Sequence, residues 1–238
     1  MVKQNTTIIY ENTVAGTFVR RMNRFTAEVL IDGAPQIVHV KNTGRLQELL
    51  MPEAKVTLQK TLNPNRKTAY DLISVYKPKL KWVNIDSLAP NALMKQQLMS
   101  LNYELVKPEY TYGESRIDFY MEKNGEKFLT EVKGCTLADD LHPGIGLFPD
   151  APTERGVKHL HELTKAAKEG CHTAIAFVIQ MNGIHRVLPN ETAQTEFKKA
   201  LVEAAKAGVQ IVCYSCHVEA DRVKITSVTE DTSSYVNM

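Results

Sequence analysis

Apolar and polar residues alternate in short runs over the first third of the chain. A period of two is typical of half-buried strands. The predicted strands cover residues 14–21, 25–31, 36–40, 55–60 and 70–76. Between the third and fourth runs, residues 44–51 predict a short helix with Leu46, Leu49 and Leu50 on one side.

This order of three strands, a helix and two more strands is that of an OB-fold. Such a fold is a five-stranded β-barrel that commonly binds oligonucleotides. The alternative is a small barrel whose only role is packing. We therefore predict an OB-like barrel over residues 1–83, followed by a passage at Lys77-Pro-Lys-Leu-Lys-Trp82 in which Pro78 interrupts regular structure.

The remaining two thirds of the chain mix helical and strand patterns. Helices are predicted over residues 87–101, 153–168 and 192–207, with Gly170 ending the second. Strands are predicted over residues 173–179 and 209–218, in addition to a hairpin. We predict a second domain over residues 84–238, a mixed sheet flanked by helices, which makes the fold class α/β (α+β).

The hairpin joins residues 116–122 to residues 126–133 at Asn124-Gly125, a strong two-residue turn signal. A turn there places Asp118 opposite Glu131, with Arg116 and Lys133 on the same side. Carboxylates in such a pair have Cβ atoms ~5 Å apart and repel each other by roughly 0.2–1 kcal/mol when exposed. A divalent cation between them would convert that repulsion into binding. The alternative is a solvated face on which Lys133 or Arg116 neutralises the acids.

The predicted helix at residues 153–168 begins at a capping threonine, Thr153. We expect an apolar stripe to be buried, formed by Val157, Leu160, Thr164 and Ala167. Arg155, Lys158, His159 and Glu162 then lie on another side of the helix. The cationic first turn is either a clamp for a phosphate or part of an ordinary solvated face.

Composition is that of a globular chain, with 238 residues, 43% hydrophobic and 24% charged. No apolar run approaches the ~18 residues that span a bilayer, and the first residues lack the apolar core of a secretion signal. The four cysteines are too few and too scattered for a disulfide framework. We expect a cytoplasmic protein with no membrane partner.

Charge is divided unevenly along the chain. Residues 1–83 contain 13 Lys and Arg against 6 Asp and Glu, whereas residues 84–238 contain 16 against 21. The division favours a basic module that attracts a polyanion and an acidic module that holds cations. The barrel residues that we predict to contact DNA are Arg20, Arg21, Arg24, Lys41 and Arg45.

Two resemblances extend this interpretation. Asp118 followed by Glu131-Val132-Lys133 resembles the motif of the PD-(D/E)xK nuclease superfamily, although Ile117 replaces the proline of that motif. The longer segments at residues 42–50, 113–119, 130–137 and 148–160 resemble the sugar fermentation stimulation protein A family over nearly the whole chain. The family resemblance implies an OB-like barrel, a nuclease-type domain, DNA binding and a regulatory link to sugar metabolism.

The superfamily resemblance implies catalysis by Asp118, Glu131 and Lys133. In that reading Asp118, Glu131 and the Val132 carbonyl hold Mg²⁺ or Mn²⁺, with Glu114 supporting a second ion or a water. Arg116, Arg155, Lys158 and His159 would contact phosphate. The alternatives are a non-catalytic DNA-binding regulator that uses the fold as a scaffold, and a protein that acts on RNA.

Overall fold

A computed structural model of the chain describes residues 6–238, which form a mixed α/β structure with two main sheets. The strands are β1 (Thr7–Ile9), β2 (Thr13–Arg21), β3 (Thr26–Ile31), β4 (Ala34–Val40), β5 (Lys55–Lys60), β6 (Tyr70–Lys77), β7 (Lys81–Asn84), β8 (Leu105–Tyr112), β9 (Ser115–Lys123), β10 (Glu126–Cys135), β11 (Leu137–Ala138), β12 (Ile145–Phe148), β13 (His172–Ile179), β14 (Arg186–Pro189), β15 (Gln210–Val218) and β16 (Arg222–Glu230). The helices are α1 (Ala89–Met99), α2 (Glu154–Lys168), α3 (Thr195–Lys206) and α4 (Thr232–Val236).

The first sheet is a closed, OB-like barrel, as predicted. Its strands run in the order β4-β3-β2-β5-β6-β7, and β4 also pairs with β6, which closes five strands into a barrel. The closing pairs are His39 with Asp71 and Val40 with Leu72. Alternate apolar residues of these strands, such as Val29 and Leu58, are fully buried inside. The barrel core thus follows from the alternation seen in the sequence.

The predicted helix at residues 44–51 is wrong, because this segment forms only one turn. The N–H groups of Leu49 and Leu50 both donate to the carbonyl of Leu46. Leu46 itself has φ of 50°, a left-handed conformation that does not continue a helix. The three leucines are nevertheless buried against the barrel, so the apolar spacing identified a packing surface and not a helix.

The second sheet has seven strands in the order β1-β16-β15-β13-β10-β9-β8. Its central strands β10, β13 and β15 are parallel, and the outer pairs are antiparallel. Helix α1 packs on one face through Leu93 and Met94. Helices α2 and α3 pack on the other face through residues such as Leu160 and Phe197. The candidate site lies where this sheet meets the starts of α1 and α2.

Two short strands depart from the predicted division at residue 83. Residues 7–9, assigned to the barrel from sequence, pair instead with β16 of the second sheet. The segment at Trp82, predicted as an irregular passage, is a strand: β7 returns along β6 and pairs Trp82 with Tyr76. The turn between β6 and β7 begins after Lys77. Pro78 is tolerated there because it has no N–H, and a residue in this turn need not donate a hydrogen bond to a neighbouring strand.

A buried polar cluster joins the two sheets, and we call it the junction cluster: Tyr10, Lys41, Asn84, Asp86 and Gln180. Lys41 Nζ lies 2.6 Å from Asp86 Oδ2, and the Tyr10 hydroxyl donates to the same oxygen at 3.2 Å. Gln180 Nε2 donates to Asn84 Oδ1 at 2.7 Å. Because buried polar groups are costly when unpaired, these bonds fix the barrel against the second sheet.

Among the helices of residues 6–238, none combines the length and apolar character that crossing a membrane requires.

Candidate metal centre

The hairpin of β9 and β10 turns at Asn124-Gly125, as predicted. Asn124 and Gly125 have φ of 53° and 78°, the left-handed values that a two-residue turn needs. The register runs from Glu126 with Lys123 to Thr130 with Phe119. Beyond that pair β9 and β10 no longer pair, while β10 continues along β13 to the pair of Cys135 with Ile179.

Asp118 lies where the two strands separate. Its Oδ2 accepts a hydrogen bond from the Val132 N–H at 2.8 Å, and its Oδ1 accepts one from Asn91 Nδ2 of α1 at 2.8 Å. The Asp118 N–H is 3.4 Å from Glu131 Oε2. The two acids that the sequence placed opposite each other are therefore brought together, with the Asp118 carboxylate bonded to the backbone of β10.

The Glu131 carboxylate extends from β10 towards α2, and only 2% of the residue is exposed. Its Oε1 accepts a hydrogen bond from Lys133 Nζ at 2.6 Å and a second from His159 Nδ1 of α2. Arg155 Nε donates to His159 Nε2 at 3.3 Å. With Nε2 accepting, the proton of a neutral His159 ring lies on Nδ1 and faces Glu131.

The two carboxyls have opposite pKa shifts. Burial, followed by the charge of Glu131, raises the pKa of Asp118 above its ordinary value. Burial alone would raise the pKa of Glu131 as well, but the hydrogen bond from His159 and the ammonium of Lys133 outweigh it, so the pKa of Glu131 is lowered. Opposite shifts in two neighbouring acids are typical of functional sites, and also of structural ion-pair networks.

The prediction that His159 lies on a polar side of α2 is wrong. His159 is 3% exposed and belongs to the buried side of α2, next to Leu160 and Leu163. The buried side of α2 includes His159, unlike the predicted apolar stripe, because the Glu131 carboxylate is a buried acceptor to which a histidine can donate. His159 reaches Glu131 and does not face outward with Arg155 and Lys158, which are exposed.

Three predicted site residues lie away from the two acids. Glu114, in the turn between β8 and β9, has a side chain that is 86% exposed and is 3.4 Å from Lys158 Nζ. Arg116 is exposed and lies 3.5 Å from Glu109 on the edge strand β8. Glu114 precedes Asp118 by four residues, about 13 Å along a strand, so the structure does not place it beside the acid pair.

The basic residues of the barrel have different environments. Arg20 is paired with Glu28 at 2.7 Å, and Lys41 with Asp86 in the junction cluster. Arg21 donates all of its five N–H groups to backbone carbonyls, at distances of 2.6 to 3.2 Å. These contacts give Arg20, Arg21 and Lys41 intramolecular partners, whereas Arg24 and Arg45 are exposed.

Asn91 was missed by the sequence analysis. It lies 27 residues from Asp118 and comes to it only because the start of α1 packs beside the end of β10. No local pattern in the sequence distinguishes it from other polar residues in a first helical turn. A position of this kind becomes visible only when the fold is known.

The donor set of this site fits a hard cation. Carboxylate oxygens are the ligands that Mg²⁺, Mn²⁺ and Ca²⁺ prefer. A cation near Asp118 would offset the burial and the charge of Glu131 that raise the pKa of Asp118. Within residues 6–238 no group of three His, Cys, Asp or Glu residues is arranged to hold an ion. A cation here would therefore need further oxygens from backbone, water or phosphate.

The fold and the site define a class of two-part proteins: an OB-like barrel joined to a curved mixed sheet that carries two adjacent acids and a lysine. Family models agree with this division. The model described as the SfsA N-terminal OB domain matches residues 19–85, and the one described as the sugar fermentation stimulation protein RE domain matches residues 85–222. The chain belongs to the sugar fermentation stimulation protein A family.

Curated relatives in this family match almost the full chain. The sugar fermentation stimulation protein homolog of Ruminiclostridium cellulolyticum is 45% identical over 225 residues, 93% of this chain and 98% of that protein. The homolog of Clostridium beijerinckii is 45% identical over 220 residues, 91% of this chain and 96% of that protein. The structure of Pyrococcus furiosus SfsA in complex with Ca²⁺ has a TM-score of 0.81 at 24% identity, covering 93% of this chain and 96% of that one.

Proposed function

We propose that this protein is a divalent-metal-dependent nuclease that hydrolyses phosphodiester bonds in DNA. The observation that carries the proposal is the placement of Asp118 beside Glu131 at the separation of two strands, with Lys133 Nζ 2.6 Å from Glu131. Two acids and a lysine in this order also underlie the resemblance to the PD-(D/E)xK superfamily.

The proposed cofactor is Mg²⁺ or Mn²⁺, held by Asp118, Glu131 and the Val132 carbonyl. The Ca²⁺ of the Pyrococcus furiosus protein supports a divalent cation in this family. When bound, such an ion supplies a Lewis acid for the phosphate and lowers the pKa of a water.

The residues of the chain itself have distinct roles in this proposal. The Lys133 ammonium orients the attacking water or stabilises charge that develops on the phosphate. His159 holds Glu131 in position through its Nδ1–H. Arg155, at the exposed start of α2, and Lys158 one turn later neutralise phosphate.

A DNA-binding regulator without catalysis is the second candidate. One observation favours it: Lys133 and His159 already donate two hydrogen bonds to Glu131 Oε1. That carboxylate is satisfied without a cation, as a structural ion pair would be. Both candidates act on DNA, and we infer a cytoplasmic location, which the four free cysteines also favour.

The experiment that separates the candidates is a cleavage assay with single- and double-stranded DNA and with RNA. Purified protein and Asp118→Asn are incubated in parallel with Mn²⁺, Mg²⁺ or EDTA. The nuclease proposal expects cleavage that requires the metal and is absent from D118N. DNA binding with no cleavage of any substrate by the unaltered protein would support the regulator instead.

A further inference from the structure

Two segments of the barrel are held together by a single guanidinium. We call residues 22–25, between β2 and β3, and residues 42–45, after β4, the Arg21-anchored loops. Arg21 donates to the carbonyls of Asn23, Arg24, Asn42, Gly44 and Arg45. An arginine has five N–H donors in a rigid plane, so the five bonds fix the two loops relative to each other.

These loops present an exposed aromatic ring together with two cationic residues. Phe25 is 54% exposed at the end of the first loop. Arg24 precedes it, and Arg45 lies in the second loop. In the described part of the chain neither guanidinium forms an ion pair. Burial, followed by the charge of Arg24, lowers the pKa of Arg21. A rigid aromatic beside unpaired cations has the chemistry that binds nucleic acid strands by base stacking and phosphate contact.

The loops contact the segment that leads into α2, the helix that carries Arg155 and His159. The Arg45 N–H donates to Asp150 Oδ2 at 3.2 Å, and Asp150 lies four residues before the start of α2. A cavity of about 130 Å³ separates the loops from the end of β10. It is lined by Asn42 and Asp150 on the loop side and by Gly134 and Thr136 on the other. The cavity therefore adjoins β10, the strand that carries Glu131 and Lys133, although Gly134 faces Pro90 and Gln180 and no lining residue belongs to the metal centre.

We propose that the Arg21-anchored loops bind a single-stranded segment of the nucleic acid, with Phe25 stacked on an unpaired base and Arg24 and Arg45 on phosphates. In a duplex the faces of the bases are covered by their neighbours, so a protruding ring such as Phe25 has no base face to contact. The further step, in which the bound strand continues to Lys133, rests on the proposed function.

Binding is measured by fluorescence anisotropy of the full chain with EDTA present. The probes are a labelled 15-nucleotide oligo-dT and a blunt DNA hairpin without unpaired bases. Loss of one base–aromatic stacking contact lowers affinity by about 5- to 150-fold. Phe25→Ala should therefore bind oligo-dT more weakly by that factor and bind the hairpin almost as tightly as the unaltered protein. Leu62→Ala, which removes another exposed apolar side chain of the barrel, should bind both probes as the unaltered protein does.

The phosphate contacts are tested by salt dependence. Each phosphate contact on a single strand contributes about 0.7 to the slope of log affinity against log salt. The double variant R24A/R45A should therefore lose about 1.4 of that slope on oligo-dT. The charge-matched control K199A/K206A, on exposed positions of α3, should keep it.

The proposal is overturned if Phe25→Ala binds oligo-dT as tightly as the unaltered protein, or loses affinity equally on both probes. An unchanged salt slope in R24A/R45A overturns the phosphate contacts. Because binding is measured without a divalent metal, an absence of cleavage would remove the nuclease function and leave these results intact.

Discussion

At the scale of single residues, Lys133 and a metal ion would compete for the same carboxylate. Lys133 Nζ lies 2.6 Å from Glu131 Oε1, a distance at which it already balances part of the charge. A divalent cation at Asp118 and Glu131 would have to share that oxygen or displace the ammonium. In the proposed mechanism Lys133 would therefore have two separable roles, holding Glu131 in the absence of a cation and acting on the phosphate in its presence.

Lys133→Met separates these roles. Removing the ammonium leaves the acid pair less neutralised, so Ca²⁺ should bind at least as tightly as before. Cleavage should fall by about 100-fold or more, because one charged group that acts on the transition state is lost. Calorimetry with Ca²⁺ and a cleavage assay with Mn²⁺ measure the two quantities. A variant that cleaves DNA at the normal rate would remove Lys133 from the mechanism.

Asp118→Asn should gain stability relative to the unaltered protein as pH rises, when no divalent ion is present. Because its folded pKa is raised, ionisation of Asp118 costs stability. The cost begins as pH rises past the unfolded value, about 3.9, and is complete above the folded pKa. The melting temperature of D118N relative to that of the unaltered protein should therefore rise between pH 4.5 and pH 7, by ~2–4 °C for about 1 kcal/mol. The amide also loses one of the two hydrogen bonds that the carboxylate accepts from Val132 and Asn91, a cost that is present at both pH values.

The control for this measurement is Asp140→Asn, which alters an acid on the surface near Lys79. It should leave the melting temperature unchanged at both pH values. A difference between D118N and the unaltered protein that does not change from pH 4.5 to pH 7 would mean that burial and the charge of Glu131 do not raise the pKa of Asp118.

At the scale of elements, the start of α2 positions the residues around Glu131. The Gly156 N–H donates to Thr153 Oγ1 at 3.0 Å, which caps the helix six residues before His159. Thr153→Ala should lower the free energy of unfolding by about 1 kcal/mol, while Thr153→Ser, which keeps the hydroxyl, should lose much less. Urea unfolding measures both, and equal losses would assign the effect of Thr153 to its methyl group.

The sequence predicted the elements whose signals are local. The strands of the barrel follow from alternation, the hairpin from Asn124-Gly125 and the cap of α2 from Thr153. Strand β16 was missed because its buried residues, Val223 and Ile225, are too few for a clear pattern. Strand β1 pairs with β16 of the second sheet and not with the barrel. This pairing joins residues far apart in the chain, and no local signal specifies it.

The same distinction applies to the site. Asp118 and Glu131 were found because a turn of two residues dictates which residues face each other. His159 was placed on the wrong side of its helix, since a buried histidine follows from an acceptor on another element. Asn91 was not found, and Arg21 was predicted as a DNA contact although its donors are occupied by loop carbonyls. Such roles depend on tertiary partners, which residue type does not reveal.

At the scale of the whole molecule, the junction cluster makes the barrel and the second sheet one unit. Lys41→Met would leave Asp86, which is 3% exposed, without its cationic partner. Breaking a buried ion pair by removing one member costs about 3–5 kcal/mol, and the double variant K41M/D86N should recover part of that loss. Thermal unfolding of both variants measures the difference.

Lys60→Met is the matched control, because Lys60 is an exposed lysine at the end of β5. It should change stability by less than about 0.5 kcal/mol. If K41M were as mild as K60M, Lys41 would not be needed to hold the two sheets together and would be free for the DNA contact first predicted for it.

The claim on which this account depends is that Asp118 and Glu131 hold a divalent cation together. Crystals of the full chain soaked in Mn²⁺ would test it through an anomalous difference map. We expect one strong peak that contacts a carboxylate oxygen of each residue. A map with no peak at this pair, or with Mn²⁺ bound only elsewhere, would contradict the metal centre.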